Sequence, residues 1–194
     1  MTSSAHHLIV GGQRSGKSRQ AEGLARQWLG ASPAHEVVVL ATATAWDDEM
    51  RARIARHQAD RPAGMATVEE PRGLSRVLRE QARPGRMLLV DCLTLWLTNW
   101  LMPAEGVADH AAWRRERDAM LETLSGLGSP VVFVSNEVGW GMVPMSRELR
   151  VFVDELGWLN QAVAARCGQL TLMVAGQPWT RPVDASEAYP GDVA

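Results

Sequence analysis

Short aliphatic runs alternate with amphipathic stretches along the whole chain. Residues 8–10, 37–41, 87–90 and 131–134 are uninterrupted apolar segments rich in Val, Leu and Ile, and 170–174 is a similar run broken only by Thr171. Their length and branched side chains predict strands buried on both faces. Between them, apolar residues recur at helical spacing and predict helices over 18–29, 47–59, 73–81, 93–101, 108–125 and 146–167. Strand and helix taken in turn imply an α/β fold, with a mainly parallel sheet covered by helices on both faces. The last stretch, GQPWTRPVDASEAYPGDVA, is rich in proline, glycine and acids. It reads as a flexible tail over 177–194, following one domain over 1–176.

Composition narrows the functional classes. A chain of 194 residues that is 46% hydrophobic can bury one full core. Its net charge of -2 gives no electrostatic case for a nucleic-acid partner. Cys92 and Cys167 lie far apart and match no metal-ligand or disulfide spacing, so they read as core thiols of a reduced, cytoplasmic protein. Neither a leader nor an apolar run of about 18 residues is visible, so no membrane span is expected. Trp96, Trp100 and Trp113 fall in helical stretches and are expected to anchor the core.

The chemistry begins at LIVGGQRSGKS, residues 8–18. Gly11, Gly16, Lys17 and Ser18 fit GxxxxGKS, placed between a predicted strand and a predicted helix, which is the setting of a phosphate loop. Gly11, Gly12, Gln13, Arg14, Ser15 and Gly16 would turn backbone N–H groups toward a phosphate at the positive end of the helix. Lys17 would reach the β- and γ-phosphates, and the Ser18 hydroxyl would ligate magnesium. Arg14 and Arg19 add positive charge, although either reads equally well as a solvated arginine. Such a loop calls for a carboxylate at the end of another strand. Asp91 follows Met87-Leu88-Leu89-Val90 and fits that place as a second magnesium partner. It could equally cap the next helix.

In ATATAWDDEMRARIARHQADRP, Met50, Ile54 and His57 share one helical face, and Arg53 and Arg61 stand four residues either side of the histidine. A histidine in such a place is often a packing residue. Flanked by two guanidiniums, it could instead attack phosphorus and carry a nucleotidyl group as a phosphoramidate. His6, His7, His35 and His110 lack a comparable setting. NEVGWGMVP, residues 136–144, predicts a loop whose Trp140 and Met142 could cover a flat ligand, seal a subunit interface or simply pack inward, and Glu137 is a candidate base.

The blocks GGQRSGKSRQAE, ATATAWDDEMRARIARHQADRP, VDCLTLWLTNWL and VSNEVGWGMVP, in this order, resemble the bifunctional adenosylcobinamide kinase/adenosylcobinamide-phosphate guanylyltransferase family of cobalamin biosynthesis. The resemblance spans about residues 8–174. It implies a RecA-like P-loop NTPase fold, often trimeric, with Mg2+ as cofactor and ATP and GTP as substrates. One implied activity phosphorylates adenosylcobinamide, and the other transfers GMP from GTP to the resulting phosphate. The guanylylated histidine falls on His57. Further nucleotide contacts fall on Ala41, Thr42, Ala43, Gln58, Ala59, Asp60, Arg61, Glu69 and Asp91, with Glu70 adjacent to Glu69. Some members have two neighbouring histidines where this chain has Arg56 and His57, which leaves one candidate. Two other classes stay open. One is a small-molecule kinase without guanylyl transfer, in which His57 only packs. The other is a RecA-like nucleotide-dependent assembly module, which would be expected to show a basic surface.

Overall fold

A computed structural model describes residues 5–45, 48, 51–52 and 64–184. Within them lie strands β1 (His7–Gly11), β2 (Glu36–Ala41), β3 (Met65–Glu69), β4 (Arg86–Asp91), β5 (Val131–Val134), β6 (Gln169–Val174) and β7 (Gln177–Pro182). The helices are α1 (Lys17–Ala31), α2 (Leu74–Gln81), α3 (Leu93–Leu101), α4 (His110–Gly126) and α5 (Arg147–Ala164). All strands join one sheet in the order β3-β2-β4-β5-β1-β6-β7, parallel except for β7, which runs antiparallel to β6. The predicted helix over 47–59 lies outside the described residues, apart from Asp48, Arg51 and Ala52, which are helical.

The apolar runs form strands because both faces of the sheet are covered. Side chains alternate across a strand, so Leu8, Val10, Val38, Leu40, Leu88, Val90, Val131 and Phe133 point to the layer of α2, α3, α4 and α5. Ile9, Val37, Val39, Leu89, Val132 and Val134 point to the opposite layer, where Ala21 and Ala25 of α1 meet them. Small residues at those two positions let α1 lie close to the sheet. Trp96 and Trp113 are fully buried and meet edge to face at 4.8 Å. Each indole N–H is satisfied, donating to the Arg72 carbonyl and to Glu155 Oε2, both at 2.8 Å.

Two strands depart from the sequence expectation. β3 was not expected, because MATVE has no continuous apolar run; it is an edge strand whose Ala66, Thr67 and Glu69 are exposed. β7 replaces part of the expected tail. Gln177–Pro182 pairs with β6 through a tight turn in which Ala175 and Gly176 both have positive φ, at +50° and +79°. Prolines at 178 and 182 hid this strand. The rest of the expected tail, beyond Asp184, lies outside the described residues.

Candidate nucleotide site

β1 ends at Gly11 and α1 begins at Lys17, and the intervening loop turns on Gly16 with φ of +101°. A Cβ at Gly11 would sit 2.5 Å from the Met173 carbonyl oxygen, so only glycine lets β1 pass this close to β6. The loop is tied on both sides. The Glu137 N–H donates to the Gly11 carbonyl at 3.1 Å, and the Gly176 N–H donates to the Ser15 carbonyl at 3.0 Å. Lys17 Nζ donates to the carbonyls of Gly11 (3.0 Å) and Gly12 (2.7 Å), which holds the ammonium over the loop. No acid stands in the first turn of α1 itself. Gly12, Gln13 and Arg14 form an exposed rim around this turn.

The carboxylate side is built by β2, β3 and β4. Asp91 ends β4, level with Ala41 of β2 and Val134 of β5. Ser18, Glu22 and Asp91 line one small recess together with Val39, Met65 and Leu89. Glu22 escaped the sequence reading, although its place one helical turn beyond Ser18 was a usable signal. The capping role considered for Asp91 is not its own: the N-cap of α3 is Cys92. A hydroxyl and two carboxylates are hard oxygen donors of the kind magnesium takes. Among the described residues, no group of three or more His, Cys, Asp or Glu could hold a metal ion.

Thr42 is fully buried, and all its polar atoms are engaged internally. Its hydroxyl donates to the Cys92 carbonyl (2.7 Å) and accepts from the Cys92 N–H (2.9 Å). Its own N–H donates to the Asp91 carbonyl, and its carbonyl accepts from Asn99 Nδ2 at 2.7 Å. Thr42 therefore fastens the end of β2 to the β4–α3 junction. Ala41 is buried beside it and Ala43 half-buried. Glu69 and Glu70 also part company. Glu69 is exposed at the C-terminal end of β3, level with Ala41. Glu70 turns away, and its Oε1 accepts from the N–H groups of Arg72 (3.0 Å) and Gly73 (2.8 Å) while Oε2 meets Arg76. Burial pulls the Glu70 pKa up, but these donors and the Arg76 charge outweigh it and leave the pKa lowered. His57, Gln58, Ala59, Asp60 and Arg61, with Arg53, lie outside the described residues.

A phosphate loop faced by an acid at the end of β4 is common to many nucleotide enzymes, and comparison with known proteins narrows the choice. Residues 7–180 match the family described as "Cobinamide kinase / cobinamide phosphate guanyltransferase". The chain belongs to this family. It is 51% identical over 171 residues to the bifunctional adenosylcobalamin biosynthesis protein CobP of Pseudomonas aeruginosa, covering 88% of this chain and 94% of that protein. It is 38% and 36% identical to the proteins of the same description called CobU in Salmonella typhimurium and Escherichia coli, covering 87% of this chain and 95% of each relative. The chain is thus a cobinamide kinase and cobinamide phosphate guanylyltransferase of adenosylcobalamin biosynthesis, with nucleoside triphosphates as substrates.

In this cobinamide kinase/guanylyltransferase, the segment after β5 stays close to the phosphate loop before turning outward. The Asn136 N–H donates to Thr94 Oγ1 and its carbonyl accepts from Asn160 Nδ2. Beyond that anchor, Trp140, Met142, Val143 and Met145 are exposed. With Arg150, Asp154 and Trp158 of α5, the loop borders a groove of about 470 Å³. Apolar side chains grouped on a surface mark a contact, either with a ligand or with another chain.

Proposed function

We propose that the chain phosphorylates the aminopropanol hydroxyl of adenosylcobinamide with ATP or GTP, and then transfers GMP from GTP to that phosphate through a guanylylated His57. The reading rests most on one observation: Lys17 reaches over the glycine loop between β1 and α1, while Ser18, the next residue of α1, shares a recess with Asp91 at the end of β4. In the first step the substrate hydroxyl attacks the γ-phosphorus, the bond to the β–γ bridging oxygen breaks, and the proton passes to a base, for which Glu137 in the segment after β5 is the candidate. Lys17 and the loop N–H groups stabilise the charge that grows on the departing diphosphate.

In the second step, an imidazole nitrogen of His57 attacks the α-phosphorus of GTP and pyrophosphate departs, held by the same lysine. Arg53 and Arg61 hold the α-phosphate in line. A phosphate oxygen of adenosylcobinamide phosphate then attacks the guanylyl phosphorus, the P–N bond breaks, and adenosylcobinamide-GDP leaves. Imidazole suits this role because its pKa, about 6.5 when unperturbed, makes it a nucleophile and a leaving group near neutrality. Magnesium bound by Ser18 and Asp91 would supply electrostatic stabilisation to the phosphate oxygens. We also read the chain as cytoplasmic, where its two buried free thiols stay reduced, and as a homo-oligomer, a trimer as its family resemblance implies, joined through the exposed apolar surface after β5.

The test is intact-mass analysis after incubation with GTP and magnesium, without corrinoid, at neutral to alkaline pH. The expected result is a gain of one GMP, lost on brief acid treatment, absent in His57→Ala and strongly reduced in Lys17→Ala. Incorporation unchanged in His57→Ala would assign the intermediate elsewhere.

A further inference from the structure

α3 is a mostly apolar helix, LTLWLTNWL, and Asn99 is its one amide side chain. Asn99 is 5% exposed and shares a helical face with Trp96 and Trp100. A buried amide destabilises a core unless its polar atoms are paired, so the partners of this one show what it does.

Its Nδ2 donates to the Thr42 carbonyl at 2.7 Å and to the Pro71 carbonyl at 2.8 Å. Thr42 follows β2 and Pro71 lies just beyond β3, so one nitrogen joins the exits of two neighbouring parallel strands. An amide nitrogen carries two hydrogens in fixed directions, one for each carbonyl. Both bonds therefore close only when the two exits stand at one separation. One residue earlier on each segment, the Glu70 N–H donates to the Ala41 carbonyl at 2.9 Å and keeps the exits in register. The same face of α3 grips the second exit again. The Asn99 carbonyl accepts from Arg72 Nη2 at 2.9 Å, and the Trp96 indole N–H donates to the Arg72 carbonyl at 2.8 Å. The Arg72 guanidinium lies over the Trp100 ring, 5.1 Å from its centre.

Asp91 is level with Ala41 across the β2–β4 pair, and exposed Glu69 immediately precedes Glu70, so the joint adjoins the carboxylate side of the site. None of the Asn99 bonds described reaches Lys17, Ser18 or Asp91. Under the two-step reading, the chain that departs at Ala43 goes on to carry His57, which serves GMP transfer and not phosphorylation. We propose that Asn99 is a positioning residue for guanylyl transfer: its amide sets the spacing of the β2 and β3 exits, and with it the placing of Ala43 and Glu69 beside Asp91. Asn99 acts through those two segments and does not itself touch substrate. The inference rests on the two-step reading and adds the residue that holds the transfer side of the site in register.

The test compares the two reactions in Asn99→Asp, which keeps the size of the side chain and exchanges the donating nitrogen for an oxygen facing two carbonyls. Formation of adenosylcobinamide-GDP from adenosylcobinamide phosphate and GTP should lose at least tenfold in kcat. In cobinamide phosphorylation, kcat and the KM for ATP should stay within twofold of the parent. Ser129→Ala is the control for a general loss of stability. The Ser129 hydroxyl donates to the Arg83 carbonyl at 2.9 Å and accepts from the Arg83 N–H at 2.8 Å, at the opposite end of the sheet, and its removal should leave both reactions within twofold. Asn99→Gln keeps the donating nitrogen on a longer stem and should recover part of the lost transfer. If the Asp variant does not fold, Asn99→Gln decides by the same split between the reactions. Equal loss in both reactions, or loss in neither, overturns the proposal. If the parent forms no GMP adduct with GTP alone, the histidine-borne route fails, while the rates of adenosylcobinamide-GDP formation still decide the role of Asn99.

Discussion

The Thr42 hydroxyl both donates to and accepts from the backbone of Cys92, so removing it strands the buried Cys92 N–H and takes from the Cys92 carbonyl one of its two donors, the other being the Trp96 N–H. Thr42→Val keeps the shape and loses the bonds; a cost of about 1–3 kcal/mol is expected, read as a lower midpoint in urea unfolding. Because Asp91 precedes Cys92, nucleotide affinity should fall too, although Thr42 has no polar group left for a ligand. His6 gives a pH signature. Its Nε2 lies 3.1 Å from the Leu124 carbonyl and its Nδ1 accepts from the Val131 N–H, which holds the ring neutral in the core. Burial lowers its pKa, against the smaller pull of the Leu124 bond, and burial lowers that of His7 as well. The unfolded chain then binds protons that the folded chain refuses, so stability is full above the unfolded value of about 6.5 and declines as pH falls from there through the lowered folded values. Thermal melts from pH 7.5 to 5 should show this decline, and His6→Gln should flatten it.

At the scale of elements, the turn between β3 and α2 separates two adjacent acids into two tasks. Glu70 holds the N–H groups that open α2, so Glu70→Ala should destabilise the fold by about 1–2 kcal/mol. Glu69→Ala should leave the unfolding midpoint nearly unchanged and weaken GTP binding. Denaturation and calorimetric titration of the two variants check the pair, and the reverse pattern would exchange their roles. The sequence made some of this legible and hid the rest, for physical reasons. Buried parallel strands announce themselves, because both faces must be apolar, and β1, β2, β4, β5 and β6 were all readable. Edge strands β3 and β7 were not, since one side of each meets water and MATVE and QPWTRP carry no apolar run. The phosphate loop was visible as a local motif whose geometry follows from its own glycines. The internal use of Thr42 and the inward turn of Glu70 depend on Asn99, Cys92 and Arg76, partners that only the folded chain brings near.

The whole molecule places its chemistry along the C-terminal edge of one sheet, where every parallel strand delivers its following loop. Inserting β5 between β4 and β1 sets Asp91 two strands from the phosphate loop and leaves the segment after β5 running between them. That segment ends in the exposed apolar surface of Trp140, Met142, Val143 and Met145, of which Met142 and Met145 are each 96% exposed. Light scattering should give a mass that is a multiple of the single chain, and Met142→Asp with Met145→Asp should return it to one chain. A parent protein that is already monomeric would assign this surface to the corrinoid instead.

β7 closes the sheet on one side, and its composition bears on behaviour in a crowded cell. The Val183 N–H donates inward to the Gly168 carbonyl, so the alternation of a strand turns positions 178, 180 and 182 outward. Two of those three are prolines with no N–H to offer. A strand from another molecule arriving at this edge would find Thr180 as the one donor along it, too few to propagate a ladder. The residues that disguised β7 as a tail thus guard the sheet against edge-to-edge aggregation.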